Sequence, residues 1–466
     1  MSKSPKFPSD KTLMGWGFSI DDPQRKKDYI YLPDSDRKGH FWCFGTTRVG
    51  KTRLMEGMIM QDIRKGHSVV VIDPKGDIEL LSNIILTAME AGRVDDLIYI
   101  SPIYPQYSAI IDPLSHYYMP EELVAHIVSG VDVGSEPFFY NVAYEISLMV
   151  VLSLLEKQKY TKNKRGFTLL DVKNYISHSS LQQLAKDIQA IALSNDQVKQ
   201  LYSDLQKIVE SPQDYYSKVS SSLRVALTEL TSGNIGKIVG KADANRFVQR
   251  LEDGKGVILI AQLGSLLTHR AAFTVGKVLI SMIGSFVGRV FASGKTVKPP
   301  LALYIDEAQN VMYYGIDDLF AKAGGAGVWI HGFCQSISQL YAEIGEEKAK
   351  TILDNTNTKI FMRVPDIDTA SYASAHFGTY RKVSPILGAA GSVSSREEEI
   401  ETVKSDELIT LKPRIFYMLT YGGRYKCKTI DTNLVMPKVP FKFKIIFPDV
   451  DVKTKQETGE KNAQNS

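Results

Sequence analysis

The chain has 466 residues, 44% of them hydrophobic and 23% charged, with a formal net charge of +4. This is globular composition; it excludes wholesale disorder and allows two to four domains, or one large core carrying an insertion. A charge so near balance excludes a chain-wide basic surface, so any nucleic-acid contact must be local.

Residues 1–38 read as an irregular polar lead-in, with turns at Pro33-Asp34 and Asp36-Arg37 and no signal-peptide pattern. His40 to Phe44 then forms a short apolar strand that runs through a glycine-rich turn into an amphipathic helix. Leu54, Met55, Met58, Ile59 and Ile63 recur at helical spacing, and Gly66 stands where a C-cap belongs. Ser68–Ile72 is a second strand, ending in Asp73-Pro74-Lys75-Gly76-Asp77; a helix over Glu79–Ala91 and a strand over Leu97–Ile100 follow. Repeated βα alternation predicts a parallel sheet flanked by helices.

From Glu136 to Arg250 strand signals vanish. Helical patterns cover Phe139–Leu155, Leu169–Ile176, Leu181–Leu193, Gln197–Val209 and Tyr215–Leu230, with Thr168 and Asp171 spaced as a capping box. A basic run (Lys157, Lys159, Lys162, Lys164, Arg165) lies between the first two; a solvated charge run is the simpler reading and DNA contact the sharper one. Strands return at Val257–Ala261, Leu301–Ile305, Val328–Phe333, Ile360–Met362, Ile415–Thr420 and Arg424–Ile430. Gly388–Arg396 reads as a small-residue loop and 448–466 as a disordered tail. The fold expected is α/β: a mostly parallel sheet over 39–135 and 251–447, an all-α domain inserted at 136–250, and the lead-in before them. Phe273–Phe291 is the most apolar stretch but carries Lys277 and Arg289, so it reads as a buried core helix. Ala143–Leu155 is too short to span a bilayer, and no transmembrane helix is expected.

Cys43, Cys334 and Cys427 stand far apart, with no CxxC and no HExxH in the chain. Neither a disulfide framework nor a zinc site is expected, and a reducing cytoplasm fits. The chemistry concentrates instead at Gly45-Thr46-Thr47-Arg48-Val49-Gly50-Lys51-Thr52, which matches GxxxxGK[ST] between a strand and a helix. Glycines let backbone N–H groups curl around a phosphate. Lys51 supplies charge to the β- and γ-phosphates, and the Thr52 hydroxyl ligates Mg²⁺. ATP and Mg²⁺ are therefore the expected ligands. Leu301–Ile305 ends in Asp306-Glu307: Asp306 is placed to hold the Mg²⁺ shell and Glu307 to act as general base. Gln335 follows the next strand, at the sheet end where ligands bind, placed to bond the attacking water or the γ-phosphate. The Asp73–Asp77 turn ends on the same side, and its partner stays open: Mg²⁺-bound water, a neighbouring subunit, or none. His331 and Cys334 read as packing residues.

These motifs occur in one order with others: Glu136-Pro137-Phe138-Phe139 opening the helical insertion, Ile305–Asn310, Ala321–Gly327, Cys334-Gln335-Ser336, and Thr358–Asp366 followed by Thr369-Ala370. Over roughly residues 38–435 the chain resembles the TraD/TraG class of type IV secretion coupling proteins, of the wider FtsK–HerA group. The resemblance implies a RecA-like P-loop ATPase forming a homo-hexamer around a channel. It implies recruitment of relaxase-bound single-stranded DNA, with relaxosome proteins, to a secretion channel with its own ATPases and inner-membrane components; protein effectors are the alternative cargo. Two departures stand out. Such proteins usually carry N-terminal transmembrane helices, so a cytoplasmic chain brought to the membrane by a separate anchor is expected, with the lead-in as docking segment. Many members also have an arginine where this chain has Gly324. Arg363, after the Ile360–Met362 strand, is the favoured substitute for that trans-acting cation, and Lys322 the second candidate.

Overall fold

The computed structural model describes residues 5–131, 137–162, 166–193, 195–242, 245–268, 270–387 and 393–437. Thirteen strands are found among them: β1 (Lys11–Ser19), β2 (Asp28–Pro33), β3 (Phe41–Phe44), β4 (Ser68–Asp73), β5 (Leu97–Ile100), β6 (Ile258–Gln262), β7 (Leu301–Ile305), β8 (Val328–Cys334), β9 (Thr358–Phe361), β10 (Thr379–Leu387), β11 (Val393–Glu401), β12 (Ile415–Thr420) and β13 (Gly423–Thr429). Eleven of them form one sheet in the order β2-β1-β13-β12-β9-β3-β8-β7-β4-β6-β5. The seven from β9 to β5 run parallel, and β12, β13, β1 and β2 extend the sheet antiparallel. The α/β class and the mostly parallel sheet read from the sequence are thus borne out.

The central strands read as continuous apolar runs because both faces of the sheet are covered. Alternate side chains point to opposite faces. Phe41, Cys43, Val69, Val71 and Tyr304 face the helices Lys51–Arg64 and Ile78–Glu90. Trp42, Phe44, Val70, Ile72 and Leu303 join the core that includes helix Arg270–Ala292 and the inserted helices. Helix Lys51–Arg64 ends as expected, with Gly66 at φ +82°.

Every described element from Pro137 to Glu252 is helical. Thr168 and Asp171 form the reciprocal cap. The single helix expected over Tyr215–Leu230 is two, Gln213–Val219 and Ser221–Thr231, broken at Ser220. The apolar stretch Ala143–Leu155 lies within a longer helix, Pro137–Tyr160. By length and composition 138–160 and 270–292 could each cross a membrane, yet 67% of the apolar window of the second is buried inside the protein and 44% of that of the first.

Two expectations are overturned. Residues 11–33 are not irregular: β1 and β2 are the last two strands at one side of the central sheet, with β2 at its edge. Gly15 and Gly17 let β1 lie tight on β13, since a Cβ at either would run into the carbonyl of Lys428 or Lys426. Arg37, fully buried, ties the segment to the core through Asp62, Tyr304 and His331. A segment so embedded is part of the folded core. Of the loop expected over Gly388–Arg396, residues 393–396 instead begin β11, which pairs with β10; residues 388–392 and the tail at 448–466 lie outside the described residues.

Candidate nucleotide site

The buried strand β3 delivers the chain to Gly45, whose N–H donates to the Cys334 carbonyl at 3.2 Å. The next N–H, of Thr46, donates to the Arg363 carbonyl at 2.7 Å. A Cβ on Gly45 would stand 2.9 Å from the Met362 Cβ, so only glycine fits between strand and loop. Arg48 (φ +61°) and Gly50 (φ +109°) turn the loop back, and Gly50 caps the helix that starts at Lys51. The orphan N–H groups of that first turn face the loop. Lys51 is 8% exposed; its Nζ donates to the Gly45 and Thr46 carbonyls at 2.5 and 2.9 Å, and burial pushes its pKa down. Thr52 follows on the same turn, partly buried.

Strand β7 is buried throughout and ends at Asp306, itself 4% exposed, whose carboxyl is pushed up by burial. The Asp306 N–H donates to the Ile72 carbonyl at 3.0 Å, which ties the acid to β4. Glu307 adopts the left-handed conformation (φ +45°, ψ +48°), which disfavours any residue bearing a Cβ. Such strain collects at functional sites, and here it turns the carboxylate out of the strand.

Between β3 and β7 lies β8, in parallel register with both: Phe44 is level with Cys334 and Ile305 with Gly332. Gln335 therefore leaves the sheet between the phosphate loop and the Asp306-Glu307 pair, half-buried. Lys51, Thr52, Asp306, Glu307 and Gln335 thus gather at the carboxyl ends of three adjacent strands. Cys334 and His331 are fully buried and pack within the sheet: Trp42 Nε1 donates to Cys334 Sγ at 3.0 Å, and His331 accepts from Arg37 Nε at 3.1 Å.

Arg363 stands beside this group through its backbone, while its exposed guanidinium donates to the Ile409 carbonyl at 3.0 Å. Asp366 accepts from the Thr369 N–H and caps helix Ile367–Phe377. Lys322 lies before the amino end of β8, at the opposite end of the strands, paired with Asp318 at 3.2 Å. Gly324 is packed so closely on the Lys38 backbone that a Cβ would collide with its carbonyl oxygen, which is why no arginine fits there.

Two cations at the site carried no firm sequence signal. Arg414, at φ +69°, donates its N–H to the Val49 carbonyl at 2.8 Å and packs against Gly50. Lys75 places Nζ 3.0 Å from Glu307 Oε1 and 3.9 Å from Asp306 Oδ2. The turn that presents it is wound around Asp73, whose carboxylate accepts from the N–H groups of Lys75, Gly76 and Asp77 at 3.0, 3.0 and 2.6 Å. Burial pushes the Asp73 carboxyl up to about 6, against those hydrogen bonds.

Residues 300–413 match the family described as the TraM recognition site of TraD and TraG. No curated protein matches the chain by sequence. Solved structures that share the fold include the unbound bacterial conjugative coupling protein TrwBdeltaN70, with a TM-score of 0.66 and 17% identity, covering 86% of this chain and 87% of that one. The plasmid coupling protein TrwB in complex with ADP and Mg²⁺ gives 0.61 at 17% identity, covering 86% of each chain. VirB4 of Thermoanaerobacter pseudethanolicus gives 0.50 at 11% identity, covering 90% of this chain and 97% of that one. Identities this low speak to the fold. Residues 300–413 thus match a TraD/TraG segment, and over 86% of its length the chain shares the fold of the coupling protein TrwB.

Proposed function

We propose that this chain is an ATP hydrolase that couples nucleotide cleavage to the transfer of relaxase-bound single-stranded DNA into a type IV secretion channel. The observation that carries the reading is the convergence of a glycine cradle with Lys51, Asp306, Glu307 and Gln335 on three adjacent strand ends. The donor set fits the ligands. The cradle has no room for a side chain at Gly45, and a threonine hydroxyl with a carboxylate are the hard oxygen donors Mg²⁺ prefers. Gly45 to Thr52 would hold the phosphates, and Thr52 with Asp306 would hold Mg²⁺. When bound, the ion neutralises charge that builds on the phosphate oxygens during cleavage.

In this reading Lys51 exchanges its two loop carbonyls for phosphate oxygens. Glu307 accepts the proton of the attacking water as that water bonds to the γ-phosphorus and ADP leaves. Gln335 orients the water. Arg363 is the cation offered to a neighbouring subunit, in a homo-hexamer whose sites are shared. The match of 300–413 to a TraM-recognition segment supports a relaxosome protein as partner. Channel ATPases, inner-membrane components and a separate membrane anchor complete the assembly, with the chain on the cytoplasmic side.

The test is ATP turnover with and without single-stranded DNA, alongside particle mass. Lys51→Ala is expected to abolish turnover, and Glu307→Gln to bind ATP without cleaving it. DNA-stimulated turnover in a ring supports the motor. Turnover indifferent to DNA would move the reading to a coupling ATPase for protein effectors, and wild-type turnover in a folded Lys51→Ala variant would end it.

A further inference from the structure

The turn from Asp73 to Asp77 has a role that the cradle and the two acids do not explain. It closes β4, and β4 is the neighbour of β7; Ile72 is level with Ile305, so the residues that follow the two strand ends emerge side by side. The turn is held on several sides. Besides the three N–H groups on the Asp73 carboxylate, the Pro74 carbonyl accepts from the Ser265 N–H and the Asp77 carbonyl from Gln262 Nε2, both at 2.7 Å. Gly76, at φ +82°, makes the reversal that an ordinary residue resists. Such fixing of the backbone aims one long side chain, Lys75, across to the acids on β7. Its stem is half-exposed, and its tip meets Glu307 at 3.0 Å and Asp306 at 3.9 Å. Glu307 is held on its other oxygen by Asn310 Nδ2 at 3.4 Å.

Resting on the nucleotide site proposed above, we infer that Lys75 is a positioning residue that latches the two acids between turnovers. An ammonium at this place pairs with Glu307 at hydrogen-bond distance and offsets part of the charge of Asp306 from 3.9 Å, so it holds a Glu307 oxygen that an attacking water requires and stands in the field that would draw a divalent ion. A single positive charge cannot share the acids closely with Mg²⁺, so arrival of the ion with nucleotide drives Lys75 off. Release then leaves Glu307 with a free oxygen facing the phosphate loop. The latch keeps Glu307 from acting while the site is incomplete. The opposite role, a same-subunit cation that stabilises the phosphoryl group, predicts the opposite sign on turnover.

A half-exposed ion pair couples by a factor of up to about five, and that sets the expected effects. The experiment titrates Mg²⁺ against binding of a fluorescent ADP, and in parallel measures unstimulated steady-state ATP turnover, for the wild type, Lys75→Ala and Lys75→Arg. Circular dichroism establishes that each variant is folded. In Lys75→Ala the Mg²⁺ concentration for half-maximal binding is expected to fall about three- to fivefold, and unstimulated turnover at limiting Mg²⁺ to rise by a similar factor, the difference closing as Mg²⁺ saturates. Lys75→Arg is expected to keep wild-type values, because the charge stays. An unchanged Mg²⁺ requirement in folded Lys75→Ala overturns the latch, as does a fall in kcat of tenfold or more. A wild type that binds no nucleotide, or whose binding Lys51→Ala leaves untouched, would instead refute the site itself.

Discussion

Replacing Arg37 by methionine is expected to destabilise the protein by about 3–5 kcal/mol, the usual effect of stranding one partner of a buried ion pair. Arg37 and Asp62 are both fully buried. The guanidinium grips both carboxylate oxygens, NH1 to Oδ1 at 2.7 Å and NH2 to Oδ2 at 2.5 Å. It also donates to the Tyr304 hydroxyl at 2.9 Å, to Thr12 Oγ1 at 3.0 Å and to His331 Nε2 at 3.1 Å, and lies 4.8 Å over the Trp329 ring. The attraction holds the Asp62 carboxyl well below the ordinary range against strong desolvation. Methionine fills most of the volume but leaves Asp62 charged, with the Tyr304 hydroxyl and His67 as remaining partners. Urea unfolding followed by tryptophan fluorescence measures the loss, since Trp42 and Trp329 are both buried in this region. The control is Arg37→Met with Asp62→Leu: removing both charges should recover more than half of the loss, because apolar replacements of a buried pair are often neutral. A single variant within about 1 kcal/mol of the wild type, or a double variant no better than the single, would refute the argument. The same contacts imply that deleting residues 1–38 destroys nucleotide binding together with the fold.

Three further outcomes follow from named contacts. Gly324→Arg should lower stability by about 1–3 kcal/mol, as overpacking does, and should not raise ATP turnover, since its Cβ must displace the Lys38 carbonyl; faster turnover in a stable variant would show that this end of the strands has room. Lys359 is buried in β9 and its pKa is pushed down by burial to about 8. The unfolded chain therefore binds the proton more tightly between pH 8 and 10.5, stability rises with pH across that window, and the deficit at pH 7 is at most about 3 kcal/mol. Lys359→Met should be the more stable protein at pH 7 by melting temperature, with the gap closing by pH 10.5; a gap that is constant with pH contradicts this. His40 is pushed down to about 4 by burial, with Nε2 facing the Phe320 carbonyl and Nδ1 accepting from the Ile330 N–H. Its contribution is complete above pH 6.5 and is lost as pH falls through 4, about 2 kcal/mol by pH 5. His40→Asn, which tolerates the local φ of +61°, should lose correspondingly less between pH 7 and 5, and equal losses in the two proteins would exclude His40 as the cause.

The parts of this protein legible in its sequence are those whose cause is local. A strand, a glycine turn and a helix follow one another within Phe41–Arg64, so GxxxxGK[ST] can be read with its context. Asp306 and Glu307 end an apolar run of five residues, and Thr168 with Asp171 closes a cap within four. Parallel strands separated by helices show as alternation because each covered strand is apolar on both faces. What the tertiary structure decided rests on pairings far apart in the chain. Residues 11–33 look irregular because β1 carries Gly15 and Gly17 and its partner β13 lies some 400 residues away; only that neighbour makes the glycines necessary. Gln335 earns its place from β8 inserting between β3 and β7, an order that no local pattern encodes. Lys75 is a charged turn residue until β4 and β7 pair and bring its ammonium to Glu307. Local propensity writes the elements, whereas strand order is set by which faces can be buried together, and that sum is taken over the whole chain.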